Sequence, residues 1–412
     1  MLIKKKIKNK NIKNLYSNNC IKYKTKDFYK VVISLFLVGF STFSILYSIQ
    51  PILPIFSKKF FLTPSQSSLA LSISTISMAV GILFMSPVSH IYGRRKIISF
   101  SLFCSSIFTI ICSFSHTWLE IVFMRACIGF TLSGVTSVAI LYLSEEMDIK
   151  ILPFCIGLYI SGNTIGGFIG RLFSNIIVRF FSWRLVFFII GCSSLFFSIV
   201  SFINLPQSKN FKSSSLNFKC IVKNFLLPFK IKICRILFIS GFLFMGCFVS
   251  LFNYISYRLI MKPFLLNQIS ISFLSIIYLI GVYVSPKSSI LYMKYGRKSI
   301  LICALYIMIF GIFLTFFNKL ILILLGLICF TIGFFIAHST ASSWISILTK
   351  KHKLEISSLY FFFYYLGSSL FGSFIGIFWF YWGWNGVFFI LNFILFSSLY
   401  IIFNISNKLI QI

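Results

Sequence analysis

The chain has 412 residues, of which 58% are hydrophobic and 11% are charged, and its formal net charge is +32. About a quarter of the residues of a soluble domain are charged, so this composition excludes an ordinary soluble protein. The cations flank apolar segments instead of forming one patch, which argues against nucleic acid as a partner. We expect the lipid bilayer to be its surroundings. The sequence has no set of catalytic residues at a spacing that would indicate an enzyme. No cofactor or metal is expected.

Apolar stretches recur along the chain, each long enough to cross a hydrocarbon core of about 30 Å as a helix. The pattern predicts an all-α polytopic membrane protein with twelve transmembrane helices. The predicted spans 1 to 12 lie at residues 30–56, 65–91, 97–115, 118–143, 153–178, 183–204, 234–260, 269–292, 298–316, 319–346, 355–380 and 384–405.

Basic segments divide these spans. Residues 1–29 form a Lys-rich N-terminal tail, residues 205–233 form a basic linker, and residues 406–412 form a short C-terminal tail. The linker separates a first six-helix bundle at 30–204 from a second at 234–405. With both termini inside, 28 Lys and Arg fall in inside segments and seven fall in outside segments. The positive-inside bias therefore predicts that both tails and the linker are cytoplasmic.

Two sequence patterns that occur once in each half predict that the bundles are pseudo-symmetric. The stretch Gly93–Lys96 reads GRRK after span 2, and Gly296–Lys298 reads GRK after span 8, 203 residues later. Small residues also recur once per helical turn in spans 5 and 11, at Gly162, Gly166, Gly170, Ser368, Gly372 and Gly376. This spacing lets helix backbones approach closely in lipid. Ordinary close packing without moving parts is the alternative interpretation.

At this point the chain resembles the major facilitator superfamily, over nearly its whole length. The family's loop motif G-x-x-x-D-R-x-G-R-R keeps its tail here as Gly93, Arg94 and Arg95, whereas His90 stands for the Asp and Ile91 for the first Arg. The second copy keeps its tail as Gly296, Arg297 and Lys298. The resemblance implies that both loops take part in gating.

The resemblance extends into spans 4 and 5. Arg125 and Gly129 match the family pattern R-x-x-x-G, and Gly162 to Gly167 resembles the antiporter motif G-P-x-x-G-G with Asn163 in place of the proline. In local wording the chain is most similar to the YnfM-type bacterial inner-membrane transporters, which are grouped with sugar- and drug-efflux permeases.

The resemblance also implies that spans 1, 4, 7 and 10 line a central cavity. The candidate substrate and coupling residues are Tyr47, Gln50, Glu120, Arg125, Asn163, Asn253, Tyr257, His338 and Trp344. For the aromatic residues among them, a position at the membrane interface is the alternative.

Charges within a membrane are costly and need a reason. Arg125 is interpreted as a group that binds substrate or assists a proton step, or else as a structural residue bonded to carbonyls of adjacent helices. Arg171, near the outer end of span 5, is expected to snorkel. Because no carboxylate falls in mid-membrane, a coupling proton would be carried by Glu120 or by His338, unless transport is uncoupled.

The resemblance implies a secondary transporter of the bacterial cytoplasmic (inner) membrane. We expect a monomer that exports a small-molecule substrate by alternating access, with protons as the coupling ion. Two alternatives stay open at this point: an uptake symporter or facilitator for a nutrient, and a non-transporting membrane scaffold.

Overall fold

The computed structural model describes residues 20–148, 151–208, 223–267, 270–271, 273–348 and 353–405. Residues 1–19 of the predicted N-terminal tail, the middle of the linker and the whole predicted C-terminal tail lie outside the described residues. The described residues are almost all helical, and their one β-type contact is a bridge between Ile21 and Met147. This bridge attaches the last residues before the first helix to the end of the fourth.

The first half of the protein consists of six helices. They are α1 at Lys26–Tyr47, α2 at Pro64–Tyr92, α3 at Arg94–Cys112, α4 at Trp118–Glu146, α5 at Leu152–Phe180 and α6 at Trp183–Asn204. Local sequence fixes two of the starts. Thr63 and Gln66 form a capping box at α2, and Thr117 and Glu120 form another at α4, so orphan N–H groups at both ends find partners.

The first predicted span is interrupted. α1 ends at Tyr47, and the chain continues as a 3₁₀ turn at Gln50–Ile52 and a short helix at Leu53–Lys59. Pro51 and Pro54 explain the change, because proline has no N–H to donate and its ring clashes with the preceding turn. The interruption leaves carbonyls of the last turn of α1 available to other donors.

The second half begins with α7 at Lys232–Ile260. It continues with a 3₁₀ segment at Phe273–Leu279, α8 at Ile280–Tyr295, α9 at Arg297–Leu314 and α10 at Leu320–Leu348. The predicted span at 269–292 is thus partly 3₁₀.

The last helical segment, Lys353–Phe403, contains a non-helical residue, Gly383, with φ 56° and ψ −141°. We call its arms α11 (353–382) and α12 (384–403), so a kink replaces the predicted loop at 381–383. Within the described residues, nine helices are long and apolar enough to cross a membrane, with α11 and α12 counted together. The protein is therefore a multi-pass membrane protein.

The two halves repeat one another in detail. Gly93 joins α2 to α3 with φ 88° and ψ 150°, and Gly296 joins α8 to α9 with φ 83° and ψ 149°. Such positive φ values favour glycine. Arg95 donates to the carbonyl of Phe202 at 2.5 Å, and Lys298 donates to the carbonyl of Ile405 at 2.6 Å. All these partners are 203 residues apart, which confirms the predicted pseudo-symmetry.

The helices alternate in direction, so the bundle has two distinct ends. We call the end where α1 begins and α12 finishes the tail end, and the opposite end the distal end. Arg184 donates to the carbonyl of Ser115 and Trp384 to that of Thr315 at the distal end.

Candidate functional site

Helices α2 and α11 hold the two halves together along most of their length. Ser65 Oγ donates to the carbonyl of Ser373 at 2.9 Å, and Ser369 Oγ donates to the carbonyl of Ser72 at 2.7 Å. Nearer the tail end, Ser358 Oγ lies 3.1 Å from Ser86 Oγ. Short hydroxyl side chains permit close approach of helices and still supply hydrogen bonds in lipid.

The glycine stripe of α5 packs within the first half. A Cβ at Gly162 would lie 2.5 Å from the carbonyl oxygen of Phe36, and one at Gly170 would lie 2.9 Å from Cα of Ser44. A Cβ at Gly166 would overlap the carbonyl of Phe40. The stripe therefore seats α5 directly on the backbone of α1.

The corresponding small residues of α11 pack against the other half of the protein instead. A Cβ at Gly376 would lie 2.8 Å from Cα of Ser65, and one at Gly372 would lie 3.1 Å from Ser72 Oγ. These glycines of the second half therefore face α2 of the first half. Ser368, on the same stripe, is buried and its hydroxyl has no partner within the described residues.

Arg125 on α4 is completely buried and bonded to backbone. Its Nε donates to the carbonyl of Ala70 at 3.1 Å, and its two Nη atoms donate to the carbonyls of Ile45 and Leu46 at 3.0 and 2.8 Å. The last two belong to the interrupted end of α1. One turn on, Gly129 fits against the backbone of Ser74 on α2. The geometry favours the structural interpretation of Arg125 over substrate binding.

Arg171 on α5 is buried, contrary to the expectation that it snorkels. Its Nη1 donates to the carbonyl of Gly167 at 2.8 Å. Its Cζ lies 4.3 Å from the ring centroid of Tyr47 on α1 and 4.1 Å from that of Tyr278, just before α8. Since Tyr278 belongs to the second half, the guanidinium lies at the boundary between the halves.

Gln50 links Arg171 to the second half. Its Oε1 accepts a hydrogen bond from Arg171 Nε at 2.7 Å, and its Nε2 donates to Asn253 Oδ1 on α7 at 2.6 Å. All three side chains are buried. A carboxamide both accepts and donates, so Gln50, in the 3₁₀ turn that follows α1, is bonded to both α5 and α7.

Tyr257, one turn further along α7, makes a second link between the halves. Its hydroxyl lies 2.8 Å from Ser67 Oγ and 3.2 Å from Ser57 Oγ, both of the first half. Tyr257 and Asn253 thus share one face of α7, and that face is turned towards α1 and α2.

His338 on α10 belongs to an aromatic cluster nearer the tail end. Its Nδ1 lies 3.0 Å from the hydroxyl of Tyr360, and its ring lies 4.6 Å from that of Tyr364. The histidine is partly buried, whereas both tyrosines are buried. Trp344, also predicted as a cavity residue, is buried two turns closer to the tail end of α10.

Two other residues predicted for the site, Glu120 and Asn163, lie outside both the link from Arg171 to Asn253 and the aromatic cluster around His338. Glu120 is exposed at the start of α4, where its carboxylate accepts from the backbone N–H groups of His116 and Thr117. Its geometry is that of a helix cap. Asn163 lies against Gly39 of α1, and its Oδ1 is buried without a partner in the described part of the chain.

A cavity of about 30 Å³ lies beside Arg171 and Gln50 and is also lined by Ser256, Ser275 and Tyr278. This is about the volume that one water molecule occupies in the liquid. Two larger depressions, of about 680 and 530 Å³, face outwards from α9–α10 and from α2–α4 and have mainly apolar linings. In this structure the cavity at the boundary between the halves is therefore too small to hold an organic solute.

Residues 35–372 match the family model of the Major Facilitator Superfamily. The chain belongs to the major facilitator superfamily. It is 52% identical over 370 residues to an uncharacterized transporter of Buchnera aphidicola from Schizaphis graminum, covering 90% of each chain. It is 43% identical over 370 residues to the inner membrane transport protein YnfM of Escherichia coli, covering 90% of this chain and 89% of that protein.

Solved structures agree with the fold. The D-xylose–proton symporter has a TM-score of 0.74 at 14% identity, with 93% of this chain and 98% of that chain covered. A bacterial homologue of the human lysosomal transporter Spinster, inward-facing and occupied, has a TM-score of 0.72 at 13% identity, with coverages of 92% and 97%. Transport by a multi-pass membrane protein, and not enzymatic catalysis, is what this family does.

The loop between α2 and α3 forms an ion pair, although the first part of the family's loop motif is altered there. Arg94 binds Glu145, at the end of α4, through Nη2 at 2.9 Å and Nε at 3.1 Å, and it also donates to Ser89. His90, in place of the family's Asp, has its Nδ1 3.2 Å from Arg94 Nη2. Arg297, in the second loop, lies 5.3 Å from the ring of Tyr292.

The sequence interpretation missed Arg171 and Tyr278. A signal existed for the arginine, because Asn163, Gly167, Arg171 and Asn175 recur every four residues and so share one face of α5. Tyr278 gave no such signal, because its segment is 3₁₀ and its face follows a different period.

Proposed function

We propose that this protein exports a small organic solute across the bacterial cytoplasmic membrane by alternating access. It works as a monomer, with both termini in the cytoplasm and with protons as the counter-ion. With this orientation the distal end faces the periplasm. The observation that carries the proposal is the hydrogen-bonded link from Arg171 through Gln50 to Asn253, which joins the two halves at the buried boundary.

The contacts of Gln50–Asn253 and of Tyr257 form the periplasmic gate. Each joins one half to the other through side chains alone, so each can break without unfolding a helix. Repeat-built transporters expose a central site alternately by rocking one half against the other. When this gate opens, α7 moves away from α1, while Arg171 and Gln50 stay together within the first half.

The export direction is supported by the resemblance of α5 to the antiporter motif. His338 is the candidate proton carrier, because it is a partly buried titratable group with a hydroxyl partner, Tyr360, inside the bundle. The described helices offer no carboxylate in mid-membrane for this task.

The test begins with a comparison of solutes retained by cells with and without the protein. A solute that falls in its presence is then offered to everted vesicles with an acidic lumen. We expect uptake that stops when nigericin collapses the pH gradient, and that is lost in His338→Gln but kept in His116→Gln, an exposed histidine. Uptake indifferent to the gradient would rule out proton coupling. No protein-dependent solute at normal abundance would rule out transport.

A further inference from the structure

We propose that Arg171 binds the negative group of the transported solute, and that this solute is a small organic monocarboxylate. The inference rests on the proposed function, since it names the substrate class of the same site. It is carried by one feature: Arg171 is a buried cation at the boundary between the halves, it has only two side-chain or backbone acceptors, and the described residues supply no anion for it.

Four arginines are buried within the described residues, and three of them have either a carboxylate or at least three neutral acceptors. Arg94 has the carboxylate of Glu145. Arg125 has three backbone carbonyls. Arg258 donates, at the distal end, to the carbonyls of Thr315, Phe316 and Phe317 and to Asn318 Oδ1.

Arg171 differs from these three. Its Nε and Nη1 donate to two neutral acceptors, Gln50 Oε1 and the carbonyl of Gly167. No carboxylate forms an ion pair with it in the described part of the chain. Arg125 and Arg258 also have no counter-charge, but each has at least three acceptors, whereas Arg171 has two. A buried charge with so few acceptors is expensive, so its presence at the boundary between the halves points to an anion from outside.

The faces of the guanidinium explain when that anion can bind. Tyr47 covers it from the first half and Tyr278 covers it from the second. Rings at this distance stabilise the cation when no anion is present. When the halves separate, Tyr278 departs with the second half, and the arginine becomes accessible to solute.

A second donor lies one hydrogen bond away. Because Asn253 Oδ1 accepts from Gln50, its Nδ2 is left as a buried donor without a partner among the described residues. Asn253 is only 2% exposed. Arg171 and Asn253 Nδ2 thus offer N–H donors from both halves. A carboxylate can accept from several donors at once, which suits a ligand that bridges the halves when they close.

The charge and the walls define the solute. One uncompensated positive charge is neutralised by one negative charge, so a monoanion fits better than a dianion. The neighbouring Phe252, Ile271 and Leu274 are apolar and suit a compact organic body.

The test uses purified full-length protein in liposomes at pH 7.5, loaded with lactate, mandelate and gluconate and with their neutral counterparts lactamide, mandelamide and glucose. We expect at least one acid to leave faster than its neutral counterpart. In Arg171→Gln this rate should fall about tenfold or more, as expected for the loss of a charge-assisted contact. Lys287→Gln is the matched control, since Lys287 is an exposed cation of the second half.

Gln50→Glu provides a second variant that needs no deletion of the arginine. It is nearly isosteric, and its carboxylate would occupy Arg171 permanently, so we expect carboxylate efflux to be lost while the protein remains folded in size-exclusion chromatography. Neutral solutes leaving as fast as the acids, no acid leaving faster than from protein-free liposomes, or unchanged efflux of the acids in folded Arg171→Gln would overturn the proposal. A protein-dependent solute in the cell comparison would then show that transport itself stands, whereas its absence would remove both.

Discussion

Arg125 and Arg171 lie on two helices of the same half, yet the protein satisfies them in opposite ways. Each side-chain nitrogen of Arg125 donates a hydrogen bond to a backbone carbonyl of α1 or α2, and both helices belong to the first half. Arg171 has two rings, one carbonyl and one carboxamide, and two of these contacts lead across to the second half. A fully bonded charge holds a structure in one state, whereas a partly bonded charge at a moving boundary is available for a ligand.

The largest effect is expected from Arg125→Leu, which leaves three buried carbonyls without their donor. Charge-assisted hydrogen bonds contribute about 1.5–3 kcal/mol each, and their effects are not additive. We expect a loss of about 3 kcal/mol or more in the free energy of unfolding. The apparent melting midpoint in detergent, read by size-exclusion chromatography, measures it.

Arg171→Leu is the control for this prediction. It leaves one carbonyl and one carboxamide without their donor, so its midpoint should fall by less than half as much. Equal falls for the two variants would remove the distinction between a structural and a ligand-binding arginine.

The next largest effect is expected where α5, the helix that carries Arg171, packs closely against α1. Gly166→Ala pushes a methyl group into the carbonyl of Phe40 on α1, and overpacking of this kind costs about 1–3 kcal/mol. We expect a lower melting midpoint and slower transport, because α5 moves away from Tyr47. Gly157→Ala, on the same helix, is the matched control, since nothing lies within 4 Å of its added Cβ. Similar losses in both variants would mean that helix propensity, not the close approach, decides the result.

Much of the fold could be predicted because its signals are strong and local. The spans follow from apolar length, and the repeat follows from Gly93 and Gly296, whose positive φ values are needed at both turns. The interruption of α1 was readable in Pro51 and Pro54, but its consequence was not. The freed carbonyls gain meaning only when Arg125, far along the chain, is seen to reach them.

The site was harder to predict because it depends on which face each helix turns to the boundary. Gln50 and Asn253 were identified from their polarity, but a single sequence does not reveal that they bond to each other. Glu120 shows a different difficulty: the rarity of acids in this chain suggests a coupling group, whereas the structure shows its carboxylate in the cap at the start of α4. The position of Arg171 near the end of α5 predicts that it snorkels, but position along the helix does not show which face it occupies, and the side chain is buried.

A smaller effect is expected at the link between the halves. Gln50→Ala and Asn253→Ala each remove the hydrogen bond between these two side chains, for about 1 kcal/mol, and Gln50→Ala also removes the bond from Arg171. Because the shared bond can be lost only once, the double variant should be destabilised by less than the sum of the two single variants. Faster hydrogen exchange at residues 50–59 and 251–258 would report an open distal end. Strict additivity would show that the contact does not couple the halves.

The smallest effect is expected for His90→Asp, which restores the residue of the family's motif. It concerns Arg94, an arginine that already has a carboxylate partner, unlike Arg125 and Arg171. Arg94 already has Glu145 and Ser89, so a new carboxylate at position 90 finds a cation whose donors are largely used. Partly exposed ion pairs contribute about 0–1 kcal/mol. We therefore expect a nearly unchanged melting midpoint, with transport that is equal or slower because the loop is held more tightly. His116→Asp controls for added charge. A fall of several degrees in His90→Asp would instead mean that the altered loop has become purely structural, and that Arg94 belongs with Arg125 and not with Arg171.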